Sequence, residues 1–144
     1  MSDLWPSDRP FCRLPPARVL EENGHAVAIA DAFPVSPGHT LVIPKRHGAG
    51  FFELTPGEVM AVYELLVRMK ARLDGDLKPA GYNIGINIGE AAGQTVMHSH
   101  VHLIPRFWGD VSEPRGGVRN VIPGKGPYAG NGGRCADTSS NSFH

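Results

Sequence analysis

Gln94-Thr95-Val96-Met97-His98-Ser99-His100-Val101-His102-Leu103-Ile104-Pro105-Arg106 carries three histidines at strict two-residue spacing, and its reading decides the rest of the chain. In an extended strand, side chains alternate faces, so His98, His100 and His102 would share one face, each about 7 Å from the next. A solvated face is a costly use of three histidines in register. A metal set is a second reading, since two histidines two apart on a strand bind zinc and a third leaves an open position for water. Convergence is the difficulty there, because the outer pair of a straight strand stand about 13 Å apart while zinc–nitrogen bonds are about 2 Å. The third reading is nucleophilic chemistry on phosphorus: one unprotonated imidazole attacks while a neighbour donates to the leaving group.

Upstream of this run, the small-residue loop Gly89-Glu90-Ala91-Ala92-Gly93-Gln94-Thr95 offers backbone amides that an anion can approach closely. Before it, residues 82–88 alternate Ile84, Ile86 and Ile88 with Asn83, Gly85 and Asn87, a half-buried strand with Asn87 on the face opposite the isoleucines. Thr55-Pro56-Gly57-Glu58 reads as a capping box with proline at the first helical position. Val59, Val62, Tyr63, Leu66, Met69 and Leu73 follow at three- and four-residue steps, an apolar stripe that needs a sheet to cover. Residues 25–31 and 40–44 read as an antiparallel pair around the Pro37-Gly38 turn. Residues 1–10 read as a loosely held arm. From Trp108 onward glycine and proline dominate, so 111–144 reads as an irregular extension, with 129–144 disordered.

The chain has 144 residues, enough for one domain with a real core. Its 14 basic and 14 acidic residues balance, which argues against extended nucleic acid or an anionic membrane as partner. No stretch approaches the roughly 20 apolar residues of a membrane span and no basic-then-apolar leader is visible, so a soluble, cytoplasmic protein is expected. Cys12 and Cys135 sit at opposite ends and make no disulfide framework.

Taken together, His98-Ser99-His100-Val101-His102-Leu103-Ile104, the run from Pro34 to His47, the Asn87 strand and Gly93-Gln94-Thr95-Val96 resemble the histidine-triad (HIT) superfamily of nucleotide hydrolases and transferases over residues 11–110. Gly93-Gln94-Thr95-Val96 and Pro105-Arg106 are most similar to the fragile-histidine-triad and bacterial dinucleoside-polyphosphate branches. The resemblance implies an α+β fold: a five-stranded antiparallel sheet with one long helix and a short N-terminal helix, paired into a homodimer with a continuous sheet. It implies His100 as nucleophile on the α-phosphorus, His102 positioning phosphate and leaving group with His98 alongside, and His39 partnering His98. It implies Asp31 on the ribose hydroxyls, Asn87, Gly93, Gln94 and Thr95 on the phosphates and leaving group, and Phe11 and Leu41 as walls of the base pocket. For Asp31 a strand-ending turn, for His39 a capped turn, and for Phe11 and Leu41 ordinary core packing are the rival explanations.

The implied activity is cleavage at the α-phosphate of a dinucleoside polyphosphate, or of a nucleoside monophosphate conjugate, through a nucleotidyl-histidine. The implied substrate is a purine nucleotide, adenine by resemblance. The histidine chemistry requires no cofactor, although a divalent cation can accompany a polyphosphate. A nucleotide-sensing protein with little catalysis, and a zinc-dependent hydrolase using the histidine row as ligands, are the alternatives. Two departures stand out. Ser99 occupies a position the family fills with an apolar residue, and a buried hydroxyl there needs a partner. Arg9 stands where relatives with a structural zinc carry the first cysteine of Cys-x-x-Cys, so Cys12 and His47 are not expected to hold that metal.

Overall fold

A computed structural model describes residues 14–48 and 50–128 of the chain; the expectations for the 1–10 arm, Phe11, Cys12 and the 129–144 tail lie outside them. One compact unit ends at Asp110 and a second begins at Val111. In the first, a 3-10 turn at Pro16–Arg18 leads into β1 (Val19–Glu22), β2 (Ala26–Ala30) and β3 (Thr40–Pro44). The helix α1 (Pro56–Asp76), β4 (Gly81–Gly85) and β5 (Val101–Arg106) follow, and α1 is the one α-helix among the described residues. The strands form a five-stranded sheet in the order β1-β2-β3-β5-β4, every neighbouring pair antiparallel. Among the described residues, no helix is long and apolar enough to cross a membrane.

The helix begins where the capping box places it. Thr55 Oγ1 accepts from the Glu58 N–H at 3.2 Å, and Glu58 Oε1 accepts from the Thr55 N–H at 3.0 Å. Arg46 clasps the same carboxylate through Nε at 3.1 Å and Nη2 at 3.0 Å, so the cap also ties the helix to the segment after β3. That pair and the Thr55 amide hold the Glu58 carboxyl down at about 2. The buried face is turned from the one the periodicity predicts: Ala61, Val62, Leu65, Met69 and Leu73 are buried, whereas Val59 and Tyr63 are 41% and 61% exposed. Leu65 and Leu66 are adjacent and either completes a stripe, so the sheet's position decides which turns inward.

β2 and β3 are buried on both faces, so their side chains form two core layers. Ala26, Ala28, Val42, Val101 and Leu103 meet α1. Val27, Ile29, Leu41 and Ile43 form the other layer, with Leu14, Val19 and Val96 against them. That second layer is the floor of the histidine site. The turn between β2 and β3 requires glycine at 38: its φ is +83°, and a Cβ there would stand 2.8 Å from Leu73 Cδ2 and from Leu77 Cδ1.

Two expectations about strands are corrected. The histidine strand begins only at Val101, so His98 and His100 precede the ladder and the three rings are not a straight row. β4 ends at Gly85, which leaves Asn87 in the segment beyond it and Ile84 50% exposed. In the second unit, a 3-10 turn spans Gly117–Val121, and the Arg119 guanidinium lies over the Tyr128 ring at 5.2 Å.

Ser99 carries the cost that its position suggests. It is 3% exposed and, among the described residues, its hydroxyl has no hydrogen-bond partner. A buried unpaired hydroxyl destabilises the native state, so Ser99→Ala is expected to raise stability by about 1 kcal/mol. The check is a higher urea midpoint with an unchanged denaturant slope.

Candidate active site

The antiparallel ladder brings the histidines together. Leu41 on β3 pairs with His102 on β5, so the two share a face. His39, two residues before Leu41, falls diagonally across from His102 on that same face. Ala30 pairs with Thr40, and the next rung sets Asp31 against His39, closed by the Asp31 N–H donating to the His39 carbonyl at 2.9 Å. Asp31, His39 and His102 therefore converge although the sequence scatters them over 72 positions.

His39 Nε2 lies 2.9 Å from His102 Nδ1 and 3.3 Å from Asp31 Oδ2, and His102 Nδ1 lies 4.0 Å from that same oxygen. The Val35 N–H donates to His39 Nδ1 at 3.1 Å. With Nδ1 accepting, the neutral His39 ring carries its proton on Nε2 and donates it to His102 Nδ1. His102 then carries its own proton on Nε2. Asp31 Oδ1 is held from the other side by the Phe33 N–H at 2.8 Å. His39 thus partners His102, where the sequence reading pairs it with His98. Register is the reason: His98 lies before the start of β5 and reaches β3 instead, its Nε2–H donating to the Pro44 carbonyl at 2.7 Å.

His100 takes its tautomer from its own chain. Its Nδ1–H donates to the His98 carbonyl at 2.8 Å, which leaves the lone pair on Nε2. The His100 and His102 ring centroids are 5.2 Å apart. One ring therefore presents a nitrogen lone pair and its neighbour an N–H. His98 is 4% exposed and braces the segment, its ring edge-on to His47 at 6.4 Å.

The remaining predicted residues fall into place unevenly. Leu41 is 4% exposed and packed with Ile29 and Ile43, part of the floor under His102. Gly85, the last residue of β4, pairs with His102, so the chain passes that ring two residues before Asn87. Gln94 braces its own loop, Oε1 accepting from the Gly89 N–H at 2.9 Å and Nε2 donating to the Val96 carbonyl at 3.0 Å. Gly93, at φ 93°, closes the Glu90–Ala92 turn, and Thr95 is exposed just beyond. Among the described residues, the donors grouped closely enough to hold a metal ion are Asp31, His39 and His102, and the row of three histidines is not such a group.

Burial pushes the His102 imidazole down to about 4, with His100 and His39 adding to the shift and Asp31 opposing it. Burial also lowers His39 against the pull of Asp31, and lowers His98 against its bond to Pro44. In the unfolded chain these rings titrate near 6.5. The folded state resists protons that the unfolded state accepts, so this stability is complete above about pH 6.5 and drains as pH falls toward 4. His102 alone contributes up to about 3 kcal/mol. Urea midpoints measured from pH 7 to pH 4 are expected to fall accordingly, and to fall less in His102→Gln.

A family model, the HIT domain, matches residues 14–109. An uncharacterized HIT-like protein of Mycoplasma genitalium is 46% identical over 88 residues, covering 61% of this chain and 62% of that protein. A bis(5'-nucleosyl)-tetraphosphatase (asymmetrical) of Schizosaccharomyces pombe is 36% identical over 97 residues, covering 67% of this chain and 53% of that one. The match thus spans roughly half to two thirds of each of these relatives. Among solved structures, a HIT family protein from Bacillus anthracis superposes with a TM-score of 0.61 at 39% identity, covering 64% of this chain and 65% of that chain.

Proposed function

The chain belongs to the HIT domain family, and from that premise we propose that it is a nucleotidyl hydrolase or transferase cleaving at the α-phosphate of a dinucleoside polyphosphate or a nucleoside monophosphate conjugate. The observation that carries this reading is the His100 tautomer, with Nδ1–H given to the His98 carbonyl and the lone pair on Nε2. The tetraphosphatase relative supports a nucleotide substrate. Adenine is the proposed base, on resemblance.

His100 Nε2 attacks the α-phosphorus, the bond to the leaving oxygen breaks, and the nucleotide is held on His100. The His102 Nε2–H donates a hydrogen bond to the leaving oxygen, which departs as an anion when it is a polyphosphate. Water then attacks the same phosphorus, the P–N bond breaks, His100 regains its lone pair and the water proton passes to solvent. Each step uses this chain's own residues, with no cofactor, and a divalent cation arrives only with a polyphosphate. In this scheme Asn87, Gly93 and Thr95 rim the phosphate and leaving group, and Asp31, whose carboxylate already holds the Phe33 amide and faces His39, sits where the ribose hydroxyls are proposed to bind. A homodimer is proposed through β4, an edge strand, and α1, whose Met60, Tyr63 and Val67 are 64%, 61% and 50% exposed.

Turnover of a dinucleoside tetraphosphate in ¹⁸O-water tests the cleavage point. Label in the nucleoside monophosphate is expected. Label in the polyphosphate product would place the attack on another phosphorus and overturn the reading.

A further inference from the structure

Val35 is a surface residue by its side chain, 74% exposed, yet its main-chain amide is turned inward onto His39 Nδ1. We propose that this one amide is a tautomer lock: it keeps the Asp31–His39–His102 cluster a directed hydrogen-bond donor and denies the cluster to divalent metal ions. The spacing alone points to metal. Donor atoms 2.9, 3.3 and 4.0 Å apart share a point about 2 Å from each, which is a zinc bond length to nitrogen or oxygen. Two histidines and a carboxylate are a zinc-binding donor set.

The proton positions oppose it. A histidine that ligates through Nε2 carries its proton on Nδ1 and gives it to an acceptor, and that outer partner is worth about 10- to 100-fold in metal affinity. Here Nδ1 of His39 faces a donor. Moving the proton to Nδ1 would set it against the Val35 N–H, while leaving it on Nε2 occupies the atom the metal needs. The lock is itself held in place: Ser36 Oγ donates to the Pro105 carbonyl at 2.7 Å, and the His39 N–H donates to the Ser36 carbonyl at 3.1 Å. Pro34 and Pro37 flank this two-residue span and carry no N–H of their own. The same lock fixes His102 as an Nε2–H donor, and only this last consequence rests on the proposed function.

Long-range ¹H–¹⁵N correlation spectra of the intact protein read the tautomer directly. His39 is expected as the Nε2–H form with Nδ1 an acceptor, and an Nδ1–H form overturns the proposal. Replacing the Val35 amide by an ester, with the α-hydroxy analogue of valine at that position, removes the donor and leaves the side chain; Val35→Pro removes the same N–H genetically. Zinc titration against a fluorescent chelator is expected to show the ester form binding about 10- to 100-fold tighter than the unmodified chain, with Val35→Ala unchanged. Equal zinc affinity with and without the amide overturns the proposal. Neither readout depends on turnover, so a failure of the nucleotidyl transfer reading would leave both results standing.

Discussion

Replacing His100 by alanine is expected to lower turnover by about 10⁴-fold or more while nucleotide affinity changes little. A nucleophile of the kind proposed for His100 enters the reaction only as its bond to phosphorus forms, so its loss falls on kcat rather than on ground-state contacts. The fold should tolerate the change, because the anchoring bonds of this segment belong to neighbours: His98 to the Pro44 carbonyl, and β5 to β3 and β4. Equilibrium binding of a nucleoside monophosphate, measured beside single-turnover kinetics, separates the two quantities. Near-normal turnover in His100→Ala would remove the assignment, and a parallel collapse of binding would place His100 among the ground-state contacts instead.

The second large effect concerns His102. Its Nε2–H is set by the bond from His39, so removing the ring deletes the hydrogen bond proposed to reach the leaving oxygen. Loss of such a donor costs about 10²- to 10³-fold in kcat. The more basic the leaving oxygen, the more it depends on that donor, so His102→Ala is expected to lose most on alkyl conjugates and least on polyphosphates. His102→Gln, whose amide N–H extends to a similar depth, is expected to recover part of the loss. A uniform loss across leaving groups would assign His102 to substrate positioning alone.

Much of this architecture was legible because local chemistry dictates it. Thr55, Pro56 and Glu58 specify a helix start by hydrogen bonds within four residues, and the helix begins at Pro56. The Pro37-Gly38 turn specifies a hairpin, and Thr40–Pro44 is a strand as read. β1 was not legible: it has four residues, ends in Glu21-Glu22, and its pairing shifts between Val19 and Glu21, so no alternation survives. The same limit explains the site. Their spacing makes His100 and His102 candidates for it, but the partner of His39 depends on the β3–β5 register, which joins positions 63 residues apart. One clue was present, since pairing across the Pro-Gly turn opposes Asp31 to His39. The Val35 amide leaves no trace in side-chain identity, because any residue except proline supplies it.

The central claim is a transient bond between His100 Nε2 and phosphorus. Substrate mixed with enzyme, quenched in denaturant at alkaline pH within the first turnover and mapped by peptide mass spectrometry, should show one nucleotide on the peptide containing His100, absent from His100→Ala. Continued substrate cleavage with that peptide always unmodified, or with the nucleotide on another residue, would contradict the account.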